Sequence, residues 1–287
     1  MAFSEPLAGG RPARRFVCLV YHDVYAREDS ASARLGRSAT MYHVSAGAFR
    51  EHLRAIQATG TRPLGIDALR RTLAAPRSPR TVPEARGVVV CFDDGWQGAV
   101  ALAAPFLQEL EIPALFFITT GFVGRRHFAT AGDLRRLDRR VFTLGSHGAT
   151  HRMLCSLSSA AIANELGTSK QRLEDLLGVP VTSLSIPGGG LDRRVVEIAK
   201  ALGYREVFTS SIGINPTPGG RYDIARIGVT HSTSVATLER WLSFRLDRER
   251  WRKSLLALPK QLLGMQTYSK VRRVLLDRQG GEHTFEP

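Results

Sequence analysis

Two short segments of the chain carry carboxylates and imidazoles at spacings that suit metal-assisted hydrolysis. In the first, Asp93 and Asp94 follow an apolar run that ends at Phe92, and burying them there is costly unless a cation or hydrogen bonds satisfy them. Neighbouring strand residues point to opposite faces, so both carboxylates can serve one site only if the chain turns, which Gly95 permits. One carboxylate could then bind a metal while the other moves protons. The alternative is a helix N-cap followed by a solvated turn.

The second segment places His147 and His151 four residues apart. On a helical turn this spacing puts both imidazoles on one face, close enough to share a metal. The alternative is two unrelated surface histidines. Together with Asp94 they make three ligands with an open position, as a catalytic metal requires, and a metal there would acidify water and polarise a carbonyl. The ligand types indicate one divalent transition metal, zinc first, with cobalt, nickel, manganese or iron as alternatives.

The order of three motifs resembles that of the polysaccharide deacetylases (the NodB-homology domain, carbohydrate esterase family 4). The motifs are Phe-Asp-Asp-Gly at 92–95, Ser-His-x-x-x-His at 146–151 and Pro-Gly-Gly at 187–189, and the similarity extends over about residues 16–230. The resemblance implies a distorted (β/α)7 NodB-type barrel and hydrolysis of N-acetyl groups on sugars. It also implies roles for four residues: general base for Asp93, and metal ligands for Asp94, His147 and His151.

The third family motif, Arg-x-Pro-aromatic-Gly, is incomplete here. Residues 185–189 read Ser-Ile-Pro-Gly-Gly, without the arginine and the aromatic residue. A backbone N–H of Gly188 or Gly189 could still donate to a developing oxyanion. The missing arginine normally steadies the catalytic aspartate, and Arg226 is a candidate replacement, with an ordinary surface arginine as the alternative.

The family's general acid is a histidine, and two candidates exist. His231 follows the last predicted strand, whereas His22 lies in a Tyr-His-x-Val segment ending at Val24. That segment resembles the N-terminal motif of the branch that deacetylates poly-N-acetylglucosamine, whose barrel is circularly permuted. We favour His22, because the first and last strands of a barrel are neighbours. The alternative for His22 is a satisfied histidine at a strand end.

Other polar and aromatic residues have weaker signals. Trp96 could stack on a sugar in the substrate groove or pack against a helix. The remaining histidines lack partners in sequence and are predicted to lie at the surface; they are His43, His52, His127 and His283.

Short apolar runs that alternate with amphipathic segments must position these side chains, and this alternation predicts an α/β fold with a mainly parallel sheet or barrel. Its functional groups should gather where strands end, and His22, Asp93–Asp94 and His147 each follow a predicted strand. The predicted strands are 16–21, 87–92, 114–119, 142–146, 183–186, 206–209 and 224–230. The predicted helices begin after Ser45 and span 66–73, 98–110, 158–177 and 193–202.

Length and charge bound the remaining possibilities. The 287 residues fit a flexible tail (1–15), one deacetylase-like domain (16–231) and a basic helical C-terminal extension (232–287). The net charge of +14 favours acidic partners, although an arginine-rich composition alone could produce it. No nucleic-acid module is recognisable, so no nucleic acid is expected. Cys18 and Cys91 are predicted to be buried, unreactive thiols.

The sequence also leads to expectations about the cellular location and the substrate class. Without a signal-like apolar stretch we expect a cytoplasmic protein, peripheral at the inner membrane surface if residues 232–287 bind anionic lipid. The alternative is that these helices cap the barrel through Trp241 and Trp251. The expected substrate is an N-acetylated amino-sugar polymer, oligomer or lipid-linked precursor. The alternatives are another amide or imide hydrolase, or a non-catalytic carbohydrate- or membrane-binding module that retains the metal site.

Overall fold

A computed structural model describes residues 15–26, 41–75, 86–249 and 251. The strands in chain order are β1 (Arg15–Tyr21), β2 (Asp23–Tyr25), β3 (His43–Ser45), β4 (Arg62–Pro63), β5 (Arg86–Phe92), β6 (Ala114–Ile118), β7 (Phe142–Ser146), β8 (Ser183–Ser185), β9 (Glu206–Phe208), β10 (Asn215–Pro216) and β11 (Ile227–Gly228). The helices are α1 (Ala46–Ala58), α2 (Ile66–Ala74), α3 (Ala104–Glu109, after a π-helical turn at Ala99–Ala103), α4 (Ala131–Arg136), α5 (Ser159–Leu177), α6 (Arg193–Ala201) and α7 (Val235–Leu242).

The principal sheet is a curled, mainly parallel one. Its order is β10-β1-β5-β6-β7-β8-β9, with β11 also paired to β1 and β4 to β5. A parallel bridge joins Phe208, in β9, to Ile224, just before β11, which runs parallel beside β1. The segment 224–228 therefore connects the two ends of the sheet, and the fold is the distorted NodB-type α/β barrel predicted from the sequence.

Alternate residues of the strands place their side chains in two apolar layers, one on each face of the sheet, as the two-residue period of a strand requires. Cys18, Val89 and Cys91 belong to the inner layer, whereas Leu19 and Val90 belong to the outer layer under the helices. Cys18 and Cys91 are fully buried free thiols, as predicted, with their Sγ atoms 3.7 Å apart.

The helix ends follow local signals in the sequence. Ser45 precedes α1, and its Oγ accepts a hydrogen bond from the N–H of Ala48. Ser158 caps α5 in the same way, and α5 ends at Gly178, whose φ of 68° is left-handed. A side-chain cap at the start and a glycine at the end are preferred because they satisfy backbone groups that the helix leaves unpaired.

The start of the predicted C-terminal extension packs onto the barrel. Helix α7 lies against α1, and its Leu238, Trp241 and Leu242 are buried, whereas Trp251 is 67% exposed. For α7 the capping alternative is therefore correct. Residues 1–14 and 252–287 lie outside the described residues. Within the described residues, no helix has the length and apolar character that a membrane crossing requires.

Candidate active site

Both carboxylates of the Asp-Asp-Gly segment enter one site because the chain turns immediately after β5. Asp93 continues the inward face of Val89 and Cys91 and donates its N–H to the carbonyl of Tyr21 at 3.0 Å. Asp94 already has a positive φ of 73°, and Gly95 has one of 90°. The turn that the sequence required thus begins at Asp94 itself, one residue before the glycine.

Asp94, His147 and His151 form a compact set of metal-binding groups. One donor atom from each lies within 4.8 Å of the others. The Oδ1 atom of Asp94 is 3.4 Å from Nε2 of His147 and 3.2 Å from Nε2 of His151. The structure therefore brings together the three residues that the sequence motifs singled out.

The two histidines do not share a helical turn, and that part of the prediction is wrong. Gly148 and His151 have positive φ angles of 78° and 62°, so the loop after β7 folds back on itself. The loop is fixed by Glu165 of α5, which is buried and accepts the Oγ1 hydroxyl of Thr150 at 3.0 Å as well as its backbone N–H. Sequence reasoning missed Glu165. Its signal is a carboxylate within the apolar stripe of α5.

The donor atoms of this set are arranged as a divalent cation requires. The Nδ1 atom of His147 lies 2.8 Å from the carbonyl of Ser185, which fixes Nδ1 as the protonated nitrogen and leaves the lone pair of Nε2 facing Asp94. Trp96 donates its indole N–H to Oδ2 of Asp94 at 3.0 Å. Oδ1 of Asp94 is buried without a hydrogen-bond partner. Such outer contacts orient metal ligands, and two imidazoles with one carboxylate fit a catalytic cation.

Burial and neighbouring charges favour the metal-binding forms of Asp94 and His147. Burial alone would raise the pKa of Asp94, but the adjacent imidazole of His151 holds it well below the usual range. Burial lowers the pKa of His147, so that its imidazole is neutral at neutral pH. The carboxylate of Asp94 raises the pKa of His151 against the effect of burial, so a metal bound there would displace a proton. A neutral imidazole and an ionised carboxylate are the forms that bind a metal.

Asp93 is paired with Arg226 from the segment that closes the barrel. Nη1 and Nη2 of Arg226 donate to Oδ1 and Oδ2 of Asp93 at 2.8 and 2.9 Å. Arg226 is 3% exposed and also donates Nε–H to the carbonyl of Thr209 at 2.9 Å. The surface alternative for Arg226 is therefore wrong, and the candidate replacement for the missing arginine lies where it was required.

Ser185 occupies the motif position from which the arginine is missing. Its hydroxyl donates to Oδ2 of Asp93 at 3.1 Å, while its carbonyl contacts His147. Burial would raise the pKa of Asp93, but the charge and the hydrogen bonds of Arg226 hold it below the usual value. Asp93 is thus an ionised carboxylate beside the metal ligands. Sequence reasoning noticed Ser185 only as a departure from the motif.

Of the two candidate acids, the structure brings His22 to the site. Its half-buried ring stacks on Tyr42 with centroids 4.7 Å apart, and its charge lowers the pKa of both Asp93 and Asp94. The Nδ1 atom of His22 is buried and has no hydrogen-bond partner among the described residues. His231 is exposed, and its backbone N–H donates to the carbonyl of Met41 at 3.0 Å.

Trp96 does not offer a ring face to a sugar, so its predicted place in the substrate groove is wrong. The side chain is 4% exposed and packs on Phe128, with centroids 4.4 Å apart, and on His43, with centroids 4.7 Å apart. The packing alternative is correct. The ring stands behind Asp94 and supplies the indole hydrogen bond described above.

The two candidate oxyanion donors differ in availability. Gly188 and Gly189 have positive φ angles of 65° and 66°. The N–H of Gly189 already donates to the carbonyl of Ile186 at 2.8 Å, and a Cβ there would lie 2.0 Å from Oγ of Ser210. Gly188 is therefore the better donor of the pair.

His43 and His52 are buried, contrary to the surface prediction. Their exposures are 2% and 1%. Burial lowers the pKa of His43 to about 4 and raises that of Asp23 to about 7, and the two side chains face each other across paired strands β2 and β3, with Nδ1 and Oδ2 4.0 Å apart. His43 thus belongs to the layer that supports Trp96. His127 is half-buried, and His283 lies outside the described residues.

The central part of the chain matches a known family model. The family model for polysaccharide deacetylases matches residues 80–207, a span that contains Asp93, Asp94, His147 and His151. Over this span the chain therefore matches the polysaccharide deacetylase family.

Individual relatives and structures agree with this assignment. The chain is 30% identical over 152 residues to the poly-β-1,6-N-acetyl-D-glucosamine N-deacetylase of Escherichia coli (strain K12), a match that covers 47% of this chain and 21% of that protein. It is 24% identical over 152 residues to the YxkH protein of Bacillus subtilis (strain 168), covering 53% and 54%. The chain thus spans about half the length, or less, of the curated relatives it matches.

Two solved structures share the fold over most of the chain. The deacetylase PplD of Streptococcus pyogenes, solved in complex with acetate, gives a TM-score of 0.67 at 21% identity and covers 79% of this chain and 97% of that one. IcaB from Ammonifex degensii gives a TM-score of 0.66 at 21% identity and covers 80% and 97%.

Proposed function

We propose that the protein hydrolyses N-acetyl groups of amino-sugar glycans with the help of a divalent metal ion. The observation that carries the proposal is that the adjacent carboxylates of Asp93 and Asp94 have different surroundings. Asp94 ends in a buried oxygen free to bind a cation, whereas Asp93 is bound to Arg226 and stays ionised. A site that only bound a ligand would not need a second carboxylate that is kept ionised beside the metal-binding group. Relatives named for chitin and for poly-β-1,6-N-acetyl-D-glucosamine support this substrate class.

A divalent cation, zinc by the nature of its ligands, would be held by Asp94, His147 and His151 and would supply Lewis acidity toward the acetamide carbonyl and toward water. Asp93 acts as the general base and accepts a proton from the water that attacks the carbonyl carbon. The bidentate contact with Arg226 and the hydroxyl of Ser185 hold its carboxylate in one orientation.

The leaving nitrogen requires a proton donor, and the developing oxyanion requires a hydrogen-bond donor. His22 gives a proton to the nitrogen as the C–N bond breaks, so that the products are a free amino sugar and acetate. The backbone N–H of Gly188 donates to the oxygen on which negative charge develops. The imide-hydrolase alternative was motivated by the missing arginine, and the contact between Arg226 and Asp93 removes that motive.

The test is Asp93→Asn, assayed for acetate release from β-1,4- and β-1,6-linked N-acetylglucosamine oligomers with metal content measured in parallel. Loss of the base should lower kcat by about a hundredfold or more while metal content stays near that of the wild type. Asp175→Asn, which changes an exposed carboxylate on α5, is the matched control. Near-normal turnover by Asp93→Asn would refute the assigned base, and no acetate release by the wild type from any N-acetylated glycan would refute the activity.

We retain as proposals the cytoplasmic location and the contact of residues 232–287 with anionic membrane. Cell fractionation tests the first. Sedimentation of the full chain with vesicles of anionic or neutral phospholipid tests the second.

A further inference from the structure

The metal-binding group opens to solvent on the side of His151. Asp94 and His147 are buried, whereas the side chain of His151 is 39% exposed. A large substrate such as a glycan must therefore approach past His151. The residues around this opening decide which glycans are attracted.

Two loops frame the opening and are joined by backbone hydrogen bonds. The loop after β6 donates the N–H of Gly121 to the carbonyl of Ala149, in the loop after β7, at 2.7 Å. The ring of Phe122 lies 6.0 Å from that of His151. The guanidinium carbon of Arg125 lies 5.9 Å from the Phe122 centroid. Contact with the ring of Phe122 thus places Arg125 near His151, the exposed member of the metal-binding group.

Three exposed arginines lie in these two loops, Arg125 and Arg126 after β6 and Arg152 after β7, and are called the basic rim below. Arg152 directly follows His151. None of the three pairs with a carboxylate among the described residues.

The sequence around the basic rim contains no acid that could neutralise it. Residues 112–132, 139–164 and 176–191, which contain β6, β7 and β8 with the loops that follow them, include neither Asp nor Glu. Four of the acids that border these stretches are engaged: Asp133 with Arg136, Asp138 with Arg140, Asp192 with Arg194, and Glu165 with Thr150. The other two, Glu111 and Asp175, lie where helices end before β6 and β8, at the opposite ends of these strands from the opening. Among the described residues of these stretches, no carboxylate therefore balances the charge of the three arginines.

We propose that the basic rim selects glycans that carry an anionic group, a phosphate or a carboxylate, near the N-acetyl group to be removed. The inference rests on the proposed function and names the substrate class of the same site. Guanidinium groups bind phosphate and carboxylate through paired, charge-assisted hydrogen bonds. A cluster of like charges beside a cleft also accelerates the association of oppositely charged substrates.

The experiment compares matched acetylated oligosaccharides: one neutral, one with a uronate neighbour, and one linked through phosphate to a short alkyl chain. Values of kcat/KM for acetate release are measured at low and high salt for the wild type and for Arg125→Gln, Arg126→Gln and Arg152→Gln combined. Arg54→Gln, an exposed arginine on α1, is the control. Circular dichroism and a thermal melt verify that the combined variant is folded.

The wild type should favour an anionic oligosaccharide over the neutral one by about tenfold or more at low salt, and less at high salt. The combined variant should lose this preference, and Arg54→Gln should keep it. The uronate and phosphate substrates show which anion is bound. Equal kcat/KM for neutral and anionic substrates in the wild type, or an undiminished preference in the combined variant, would overturn the proposal.

Dissociation constants of the same oligosaccharides for Asp93→Asn, with and without the three rim substitutions, separate this inference from the proposed function. If the wild type releases no acetate from any substrate, the proposed function fails. Tighter binding of anionic oligosaccharides that depends on the rim would then still support the basic rim, and equal binding of all three would refute it.

Discussion

Arg226 binds Asp93 through two parallel hydrogen bonds of 2.8 and 2.9 Å. The pair is buried within the end of the barrel, and a guanidinium in this bidentate geometry fixes both the charge and the orientation of the carboxylate. The polysaccharide deacetylase motif normally supplies its arginine from the Pro-Gly segment. In this protein the arginine comes from the segment that closes the sheet, and Ser185 fills the vacated position.

Removing that guanidinium should shift the pH dependence of hydrolysis. In the wild type Arg226 holds the pKa of Asp93 below its usual value, so the base is ionised throughout the neutral range. In Arg226→Gln the effect of burial is no longer opposed and raises the pKa of Asp93. We expect kcat/KM to fall at neutral pH and to recover partly as pH rises, with Arg226→Lys intermediate. If kcat/KM fell at the same acidic pH in Arg226→Gln and in the wild type, this account would be contradicted.

Metal binding should depend on the three grouped residues. We expect about one equivalent of a divalent transition metal in the purified or reconstituted protein. Combined replacement of Asp94, His147 and His151 by Ala should abolish it. His231→Ala, at an exposed histidine outside the group, should leave metal content unchanged. Elemental analysis of both variants checks this, and equal metal in the triple variant would refute the site.

The general acid can be assigned by comparing two histidines. His22→Gln should lower kcat by about a hundredfold to ten-thousandfold, because proton transfer to the leaving amine is lost. His231→Gln should turn over like the wild type, since its side chain is exposed. Steady-state rates with an N-acetylglucosamine oligomer decide the matter, and the opposite ranking would transfer the role to His231.

Glu165 should influence metal affinity although it is not a proposed ligand. It accepts the backbone N–H and the hydroxyl of Thr150 and thereby fixes the loop between the two histidines. In Glu165→Gln one acceptor atom becomes a donor, so the loop loses part of this support. We expect metal affinity to fall by about tenfold to a hundredfold, as for other outer-shell changes.

Competition with a chromophoric chelator measures this affinity for Glu165→Gln, and Asp175→Asn on the same helix is the control. The spectrum of the Co²⁺-substituted protein adds a readout that a general loss of stability would not change, because it reports ligand geometry. Wild-type affinity together with an unaltered spectrum would show that Thr150 is held without Glu165.

Local patterns were sufficient for much of the fold. The caps at Ser45 and Ser158 and the apolar run before Asp93 predicted elements to within a few residues. His147 and His151 were placed on one helical turn because four-residue spacing was the only signal, whereas Gly148 and a left-handed His151 determine the actual path of the loop after β7. Burial of His43 depends on the pairing of β2 with β3, which the sequence pattern did not reveal.

Long-range contacts explain the other failures. Arg226 is separated from Asp93 by 133 positions, so no local pattern distinguishes it from a surface arginine. Trp96 follows the Asp-Asp-Gly turn and was an equally good candidate for sugar stacking. Only the positions of Phe128 and His43 show that its ring is enclosed.

The location of Arg226 in the segment that closes the sheet has a consequence for the order in which the site matures during synthesis. Asp94, His147 and His151 all emerge from the ribosome well before residue 226. A nascent chain can therefore gather its metal-binding groups while Asp93 still lacks its guanidinium partner. Asp93 gains the lowered pKa that Arg226 confers only when the last strand joins the first, so closure of the barrel and tuning of the base are one event.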